Sequence, residues 1–208
     1  MEYIPKVTEA EREEVHRHYE ERLALYRNRG LDFDEYRKFM LDKIAPLESD
    51  ILELGTGTGY TAVFLAKKGY KFISIDTDEQ ALKTTAARLD YDKVLSNVKF
   101  HIMDATCLEF ANDSFKSIIA VNVLHHVAEP EKFLLEADRV LYPKGKIIIS
   151  DFNEEGLQII DTVHREEGRS HDHPIADQDQ ICLFFEKQGY KINRFENRGH
   201  WIMIAQKR

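Results

Sequence analysis

With 208 residues the chain has room for one large domain, or one domain and a short appended segment, because single cores stop growing near roughly 250 residues. Hydrophobic residues make up 43% and aromatics 11%, enough for a sizeable core, which excludes a disordered chain. Lys and Arg number 29 against 37 Asp and Glu, and the net charge of −8 repels phosphate backbones and anionic lipid, so nucleic-acid and membrane partners are not expected.

The first residues, MEYIPKVTEAEREE, have neither a basic nor an apolar region of the kind that targets a chain for export, and no apolar run approaches the roughly 20 residues of a membrane span. The expected location is cytoplasmic. Cys107 and Cys182 form no CxxC pattern and are expected reduced, in or near the core.

Residues 9–22 hold six Glu and three Arg without Pro or Gly, and Thr8 followed by Glu11 has the form of a capping box, which predicts a helix from 8 to 28. Gly30 ends it, and Phe33, Tyr36, Phe39, Met40 and Ile44 mark one face of a second helix over 33–44. From Asp50 short apolar runs alternate with amphipathic stretches, as in parallel strands joined by helices. Strands are expected at 50–54, 71–75, 98–102, 117–121 and 145–150, with helices at 60–68, 79–89 and 130–140 between them. A polar, histidine-bearing loop is expected over 151–176, then a helix at 177–187. Strands at 190–196 and 200–206 follow, and the tight turn at Asn197–Gly199 leaves no room for a crossover, so they form an antiparallel hairpin. The fold class is α/β: a doubly wound, Rossmann-like, seven-stranded sheet, mostly parallel, with one antiparallel strand near the C-terminus. Residues 1–46 form an N-terminal helical cover on a domain spanning 47–208.

The most informative segment is Glu53-Leu54-Gly55-Thr56-Gly57-Thr58-Gly59, with glycines on alternate positions between a buried strand and a helix. Such glycines permit positive φ and close approach of a ligand, and the helix start offers unpaired N–H groups. Asp76 closes the second strand, 21 residues after Gly55, where an acid grips ribose hydroxyls, and Asp104 closes the third. Ligands of open parallel sheets lie over these strand ends, so the loop and both acids line one crevice.

The glycine loop, Asp76, the Asp104-Ala105 pair, Asn122-Val123-Leu124-His125-His126-Val127 and Leu141-Tyr142-Pro143-Lys144-Gly145-Lys146 together resemble the class I S-adenosylmethionine-dependent methyltransferases. The likeness is greatest to the small-molecule branch that includes the quinone-biosynthesis C-methyltransferases, and it covers residues 47–152. It implies S-adenosyl-L-methionine as cofactor, with Glu53 and the Gly55, Thr56, Gly57 and Gly59 segment around its methionine part. By the same likeness Asp76, with Thr77 beside it, holds the ribose. Asp104 then takes the adenine amino group, Ala105 the ring through its N–H, and Asn122 the region beside the sulfonium. One departure is visible: the family's Pro-Gly-Gly turn is Pro143-Lys144-Gly145 here, a structural loop. No Asn/Asp-Pro-Pro-aromatic run follows the fourth strand, which disfavours the amino-directed DNA, glutamine and adenine methylases.

A nicotinamide-binding turn is the rival reading, but Tyr60 stands where its third glycine belongs, and Glu53 would repel a pyrophosphate. His125 and His126, just beyond the fourth strand, are the candidate general bases for an acceptor that must lose a proton. His164, His171, Asp172 and His173 suit a solvated lid loop, and no metal is assigned to them. Tyr19 is the aromatic of the helical cover expected to reach the donor, in a row that also holds Tyr26, Phe33, Tyr36 and Phe39. The expected function is methyl transfer from S-adenosylmethionine to a small-molecule acceptor, by a monomer or homodimer; the alternative is a non-catalytic adenosyl-ligand-binding or interaction module of the same fold.

Overall fold

The computed structural model describes residues 2–168 and 177–207. A two-residue strand, β1 (Glu2–Tyr3), leads to α1 (Glu9–Asn28). The first turn of α1 is closed reciprocally: Glu11 N donates to Thr8 Oγ1 at 3.3 Å, and Thr8 N donates to Glu11 Oε2 at 2.8 Å. Asp32 caps α2 (Phe33–Ile44) by accepting from the amides of Asp34 and Glu35. Strands and helices then alternate: β2 (Ile51–Leu54), α3 (Tyr60–Lys67), β3 (Phe72–Asp76), α4 (Glu79–Tyr91), β4 (Val98–Ile102), β5 (Phe115–Val121), α5 (Pro130–Val140) and β6 (Leu141–Phe152). The chain ends with α6 (Glu154–Glu166), α7 (Gln178–Lys187), β7 (Lys191–Asn197) and β8 (His200–Gln206).

All strands join one sheet in the order β1-β4-β3-β2-β5-β6-β8-β7. Strands β2 to β6 are parallel, and β8 runs antiparallel to both β6 and β7, as the short connection at Asn197–Gly199 requires. The sheet has eight strands, not the expected seven. The addition is β1, whose two residues pair antiparallel with Phe100 and His101 and cover the β4 edge. Two residues carry no periodicity from which a strand can be read.

The expected loop over 151–176 is a second correction. Its described part is the end of β6 followed by α6, which Asn153 caps by accepting from Gly156 N at 3.0 Å. Glutamates and a histidine in this stretch conceal a buried stripe of Gly156, Ile160 and Val163 at helical spacing. The segment with His171, Asp172 and His173 lies outside the described residues. Strand β6 also starts at Leu141 rather than Gly145. Leu141 pairs with Phe115 and Lys146 with Ser117, so the Pro143-Lys144-Gly145 turn bulges out within the strand. Cys182 is buried as expected, but Cys107 is exposed.

Alternate residues of each strand feed two cores. Ile51, Phe72, Ile119, Ile148, Ile202 and Ile204 meet α2, α3 and α4 on one face, while Leu52, Ile75, Ile118, Ile147 and Met203 meet α5 and α7 on the other. A third cluster joins α1 to α6 through Leu23, Tyr26, Phe33, Phe152, Ile160 and Val163. It stands beside the carboxyl ends of β5 and β6. Among the described residues no helix is long and apolar enough to cross a membrane.

Candidate functional site

Over the carboxyl ends of the parallel strands lies a cavity of about 1110 Å³. Pockets for a drug-sized ligand measure roughly 300–1,000 Å³, and this cavity lies just above that range. Its walls come from the β2–α3 loop, the tips of β3, β4 and β5, and helices α1, α2, α4 and α6.

Gly55, Gly57 and Gly59 all take positive φ, at 79°, 51° and 76°. They are needed for different reasons. A Cβ on Gly59 would stand 2.5 Å from Thr85 Oγ1 and one on Gly55 2.3 Å from Val123 Cγ2, so packing of α4 and of the β5 tip against the loop forbids both. A Cβ on Gly57 meets nothing within 4 Å: this glycine faces the open cavity and leaves its backbone accessible there. The loop is held by Gly55 N and Thr56 N, each donating to Ile75 O at 3.0 Å, and by Gly57 N donating to Asp76 Oδ2 at 2.8 Å.

Asp76 is thus fastened to the loop, while its Oδ1 accepts from Asp78 N at 3.0 Å. Asp104 is exposed at the tip of β4, where its Oδ1 accepts from Thr106 N and Oγ1, both at 2.8 Å. Gly55, Thr56, Gly57, Asp76, Thr77, Asp104, Ala105, Asn122, His125, His126 and Tyr19 all line the cavity. Of the expected cofactor-binding and catalytic residues, Glu53 and Gly59 do not.

Glu53 lies behind the loop instead. It is the register partner of Ser74 across β2 and β3, and Ser74 Oγ lies in hydrogen-bond contact with Glu53 Oε2 at 2.5 Å. Thr56 Oγ1 continues the chain, 2.5 Å from Ser74 Oγ and 3.1 Å from Ile75 O. Burial pushes the Glu53 carboxyl up to about 8, against the opposing Ser74 hydrogen bond and with a smaller contribution from the charge of Asp76. Protonated, Glu53 can donate to Ser74, Ser74 to Thr56 and Thr56 to Ile75 O, so that every hydroxyl hydrogen has its own acceptor.

Beyond Asn122 the wall changes character. Tyr26, Phe33, Phe152 and Ile160 line this end, with Phe33 edge-on to both Tyr26 and Phe152 at centroid separations of 5.3 and 6.4 Å. Several of the polar groups here are buried. Asn122 adopts φ 55°, a left-handed conformation that asparagine tolerates, and its Nδ2 lies 3.3 Å from His200 Nε2. His200 stacks on Tyr36 at 3.8 Å, and burial lowers its pKa to about 3, which keeps the ring neutral. Tyr36 donates to Ser150 Oγ at 2.6 Å, and burial raises its hydroxyl. His125 Nδ1 lies 2.7 Å from Asp151 Oδ1, both side chains 3% exposed, whereas His126 is exposed. Among the described residues Asn122 Oδ1, Asp151 Oδ2 and His200 Nδ1 are buried without a hydrogen-bond partner.

Two buried arginines meet where α1, α2, α3 and α4 converge. Arg37 donates to Tyr60 O at 3.0 Å and Tyr19 Oη at 3.1 Å and pairs with Asp34 at 2.6 Å. Arg88 donates to Thr58 O, and its guanidinium carbon stands 3.3 Å over the Tyr19 ring. Burial lowers its pKa.

Sequence reasoning did not single out Ser74, Arg37, Arg88, Asp151 or His200. Only Asp151 left a signal: it ends a parallel strand, as Asp76 and Asp104 do. The others are recognised only once strand register and helix packing are known. Among the described residues no group of three His, Cys, Asp or Glu could hold a metal ion. His164 lines the cavity; His171, Asp172 and His173 lie outside the described residues.

Comparison with known proteins places these features in context. Residues 52–149 match the family described as methyltransferase domain. The chain is 36% identical over 118 residues to a demethylmenaquinone methyltransferase of Clavibacter sepedonicus, covering 56% of this chain and 47% of that protein. It is 32% identical over 118 residues to the ubiquinone/menaquinone biosynthesis C-methyltransferase UbiE of Rickettsia massiliae, covering 54% and 48% respectively. The aligned part thus amounts to about half the length of each of these curated relatives. A solved S-adenosylmethionine-dependent methyltransferase from Aquifex aeolicus shares the fold, with a TM-score of 0.64, 19% identity and coverage of 82% of this chain and 88% of that one.

Proposed function

We propose that this chain, which carries a class I S-adenosylmethionine-dependent methyltransferase domain, transfers a methyl group from that donor to a small hydroxylated aromatic acceptor. The observation that carries the reading is a two-ended cavity. One end is a glycine cradle between two strand-tip carboxylates, and the other is an aromatic chamber with buried polar groups.

The donor end fits the cofactor. Gly57 presents open backbone where an added Cβ would only occupy the cradle. Asp76 offers acceptors for ribose hydroxyls, Thr77 flanks it, and Asp104 with the Ala105 N–H suits an adenine edge. Glu53, reached through Ser74 and Thr56, supplies negative potential behind a cationic ligand once it ionises. Asn122 stands between the two ends. Residues 1–46 serve as the cover, with Tyr19 closing the donor end over Arg88. When bound, the cofactor supplies an electrophilic methyl group and departs as a neutral thioether. The protein's own share is positioning at near-attack distance and exclusion of water, with His125 and His126 on the acceptor side as the candidate bases.

The acceptor class rests on the aromatic lining and on the quinone-type activities that name the relatives. Calorimetric titration tests the donor, and transfer of labelled methyl to a panel of hydroxyaromatics and amines tests the reaction. S-adenosylhomocysteine should bind at micromolar level while NAD and NADP do not, and label should reach the hydroxyaromatics. Binding of the adenosyl ligand with no transfer to any acceptor would favour the non-catalytic module, and binding of NAD alone would overturn the reading.

A further inference from the structure

The geometry points to Tyr26 as a specificity-determining residue: its hydroxyl, held by Arg22, reads a second oxygen on the acceptor, remote from the atom that receives the methyl group. This rests on the proposed methyl transfer and adds what the acceptor must carry besides its reacting atom. The class is an aromatic with an oxygen on each side of its ring system.

Tyr19, Arg22 and Tyr26 follow one another along α1 at spacings of three and four residues, so they share the face turned to the cavity, which all three line. The Tyr26 ring is buried, 4% exposed. Its Oη accepts from Arg22 Nη2, and Arg22 Nη1 donates to Glu167 Oε1 at 2.6 Å, just past the end of α6. A guanidinium only donates, so the single hydrogen of the phenol is not spent in that bond. Among the described residues no atom accepts it. Tyr36, the other buried tyrosine lining the cavity, contrasts: it donates to Ser150 Oγ at 2.6 Å.

The strap between α1 and α6 needs an oxygen that accepts, not a hydrogen that goes unused. An unpaired buried donor is a cost that an oxygen of a bound ligand removes. The charged donor on Tyr26 Oη also polarises its O–H, which strengthens the bond that it can give. The row of rings along the wall sets where that bond is given. It runs from His125 to Phe152 at 5.9 Å between centroids, from Phe152 to Phe33 at 6.4 Å, and from Phe33 to Tyr26 at 5.3 Å. Tyr26 therefore stands at the end away from Asn122 and His125. A flat acceptor lying along this row, with its reacting atom beside Asn122, turns its opposite side to the Tyr26 hydroxyl. A carbonyl, ether or hydroxyl oxygen there completes the bond, and a bare ring edge leaves it unmade.

Transfer of labelled methyl to 1,4-naphthohydroquinone and to 1-naphthol, which differ only in the distal oxygen, gives a ratio of kcat/KM for the full chain. Tyr26→Phe should lower that ratio at least about tenfold, through a higher KM for the hydroquinone, because a site built around a substrate hydroxyl discriminates strongly against its absence. A purely structural hydroxyl would depress both probes alike and leave the ratio where it was. S-adenosylhomocysteine affinity should not change. Arg22→Gln, at the partly exposed end of the pair, should shift the ratio the same way by a smaller factor, and it carries the test if the phenylalanine variant does not fold. An unchanged ratio in either folded variant would overturn the inference and leave the methyl transfer standing. If the unmodified protein binds S-adenosylhomocysteine but methylates neither probe, the acceptor reading fails and this inference with it.

Discussion

The two ends of the cavity are built on opposite plans. The end proposed to hold the donor is lined, Tyr19 apart, by residues between Gly55 and Ala105, and its groups are backbone amides and strand-tip acids whose positions follow from a short loop and parallel registers. The end proposed to take the acceptor is assembled from Tyr26 and Phe33 near the N-terminus, His125 after β5, and Phe152 and Ile160 around the β6–α6 junction. Its shape is set by side-chain packing between α1 and α6 rather than by backbone geometry. A site made of backbone and strand order tolerates little change, whereas one made of packed side chains can be re-lined without altering the sheet.

If that division holds, damage to one end should spare the other. Phe152→Ala removes a buried ring that touches Phe33, His125 and His200. It should lower stability in urea by about 3–5 kcal/mol, the range for a core Phe truncation, while the folded variant keeps its S-adenosylhomocysteine affinity. A large loss of that affinity would show that the ends are mechanically coupled.

Glu53→Gln probes the donor end through pH. The folded carboxyl holds its proton up to about 8, whereas the unfolded chain releases it near 4.5. The folded state therefore binds more protons over that window, and stability falls as pH rises from about 4.5 to 8. The glutamine variant removes this slope and should be more stable than the parent at pH 8, by on the order of 3 kcal/mol in urea titrations. Equal pH slopes in the two proteins would place the cost elsewhere.

Asp76→Ala should weaken S-adenosylhomocysteine binding by about 1–3 kcal/mol in calorimetry, because a hydrogen-bonding partner of the ligand and the anchor of Gly57 are lost together. Unchanged affinity would mean that the ribose is held by another group. The smallest effect belongs to the outer surface. Arg29, which bonds Glu166 just past the end of α1, lies at the surface, and Arg29→Ala should leave the thermal midpoint almost unchanged.

The same division explains what the sequence made legible. Alternating apolar runs and helix caps placed β2 to β8 and helices α3, α4, α5 and α7, because both signals are local. The glycine spacing and the strand-tip acids Asp76 and Asp104 marked one wall of the cavity for the same reason. The acceptor end was less legible. His125 was visible, but its partner Asp151 becomes its neighbour only through β5–β6 pairing. Arg88 is buried where Tyr19, from another helix, and Tyr60 pack against it. Helix α6 was hidden by polar residues on its outer face, and β1 by its brevity.

The most direct test is a crystal structure with S-adenosylhomocysteine bound. The ligand should lie over Gly57 with its sugar hydroxyls on Asp76, its base beside Asp104 and Ala105, and its sulfur directed toward the chamber of Phe33, His125 and Phe152. A ligand seated elsewhere, or a cradle left vacant at saturating concentration, would contradict the account.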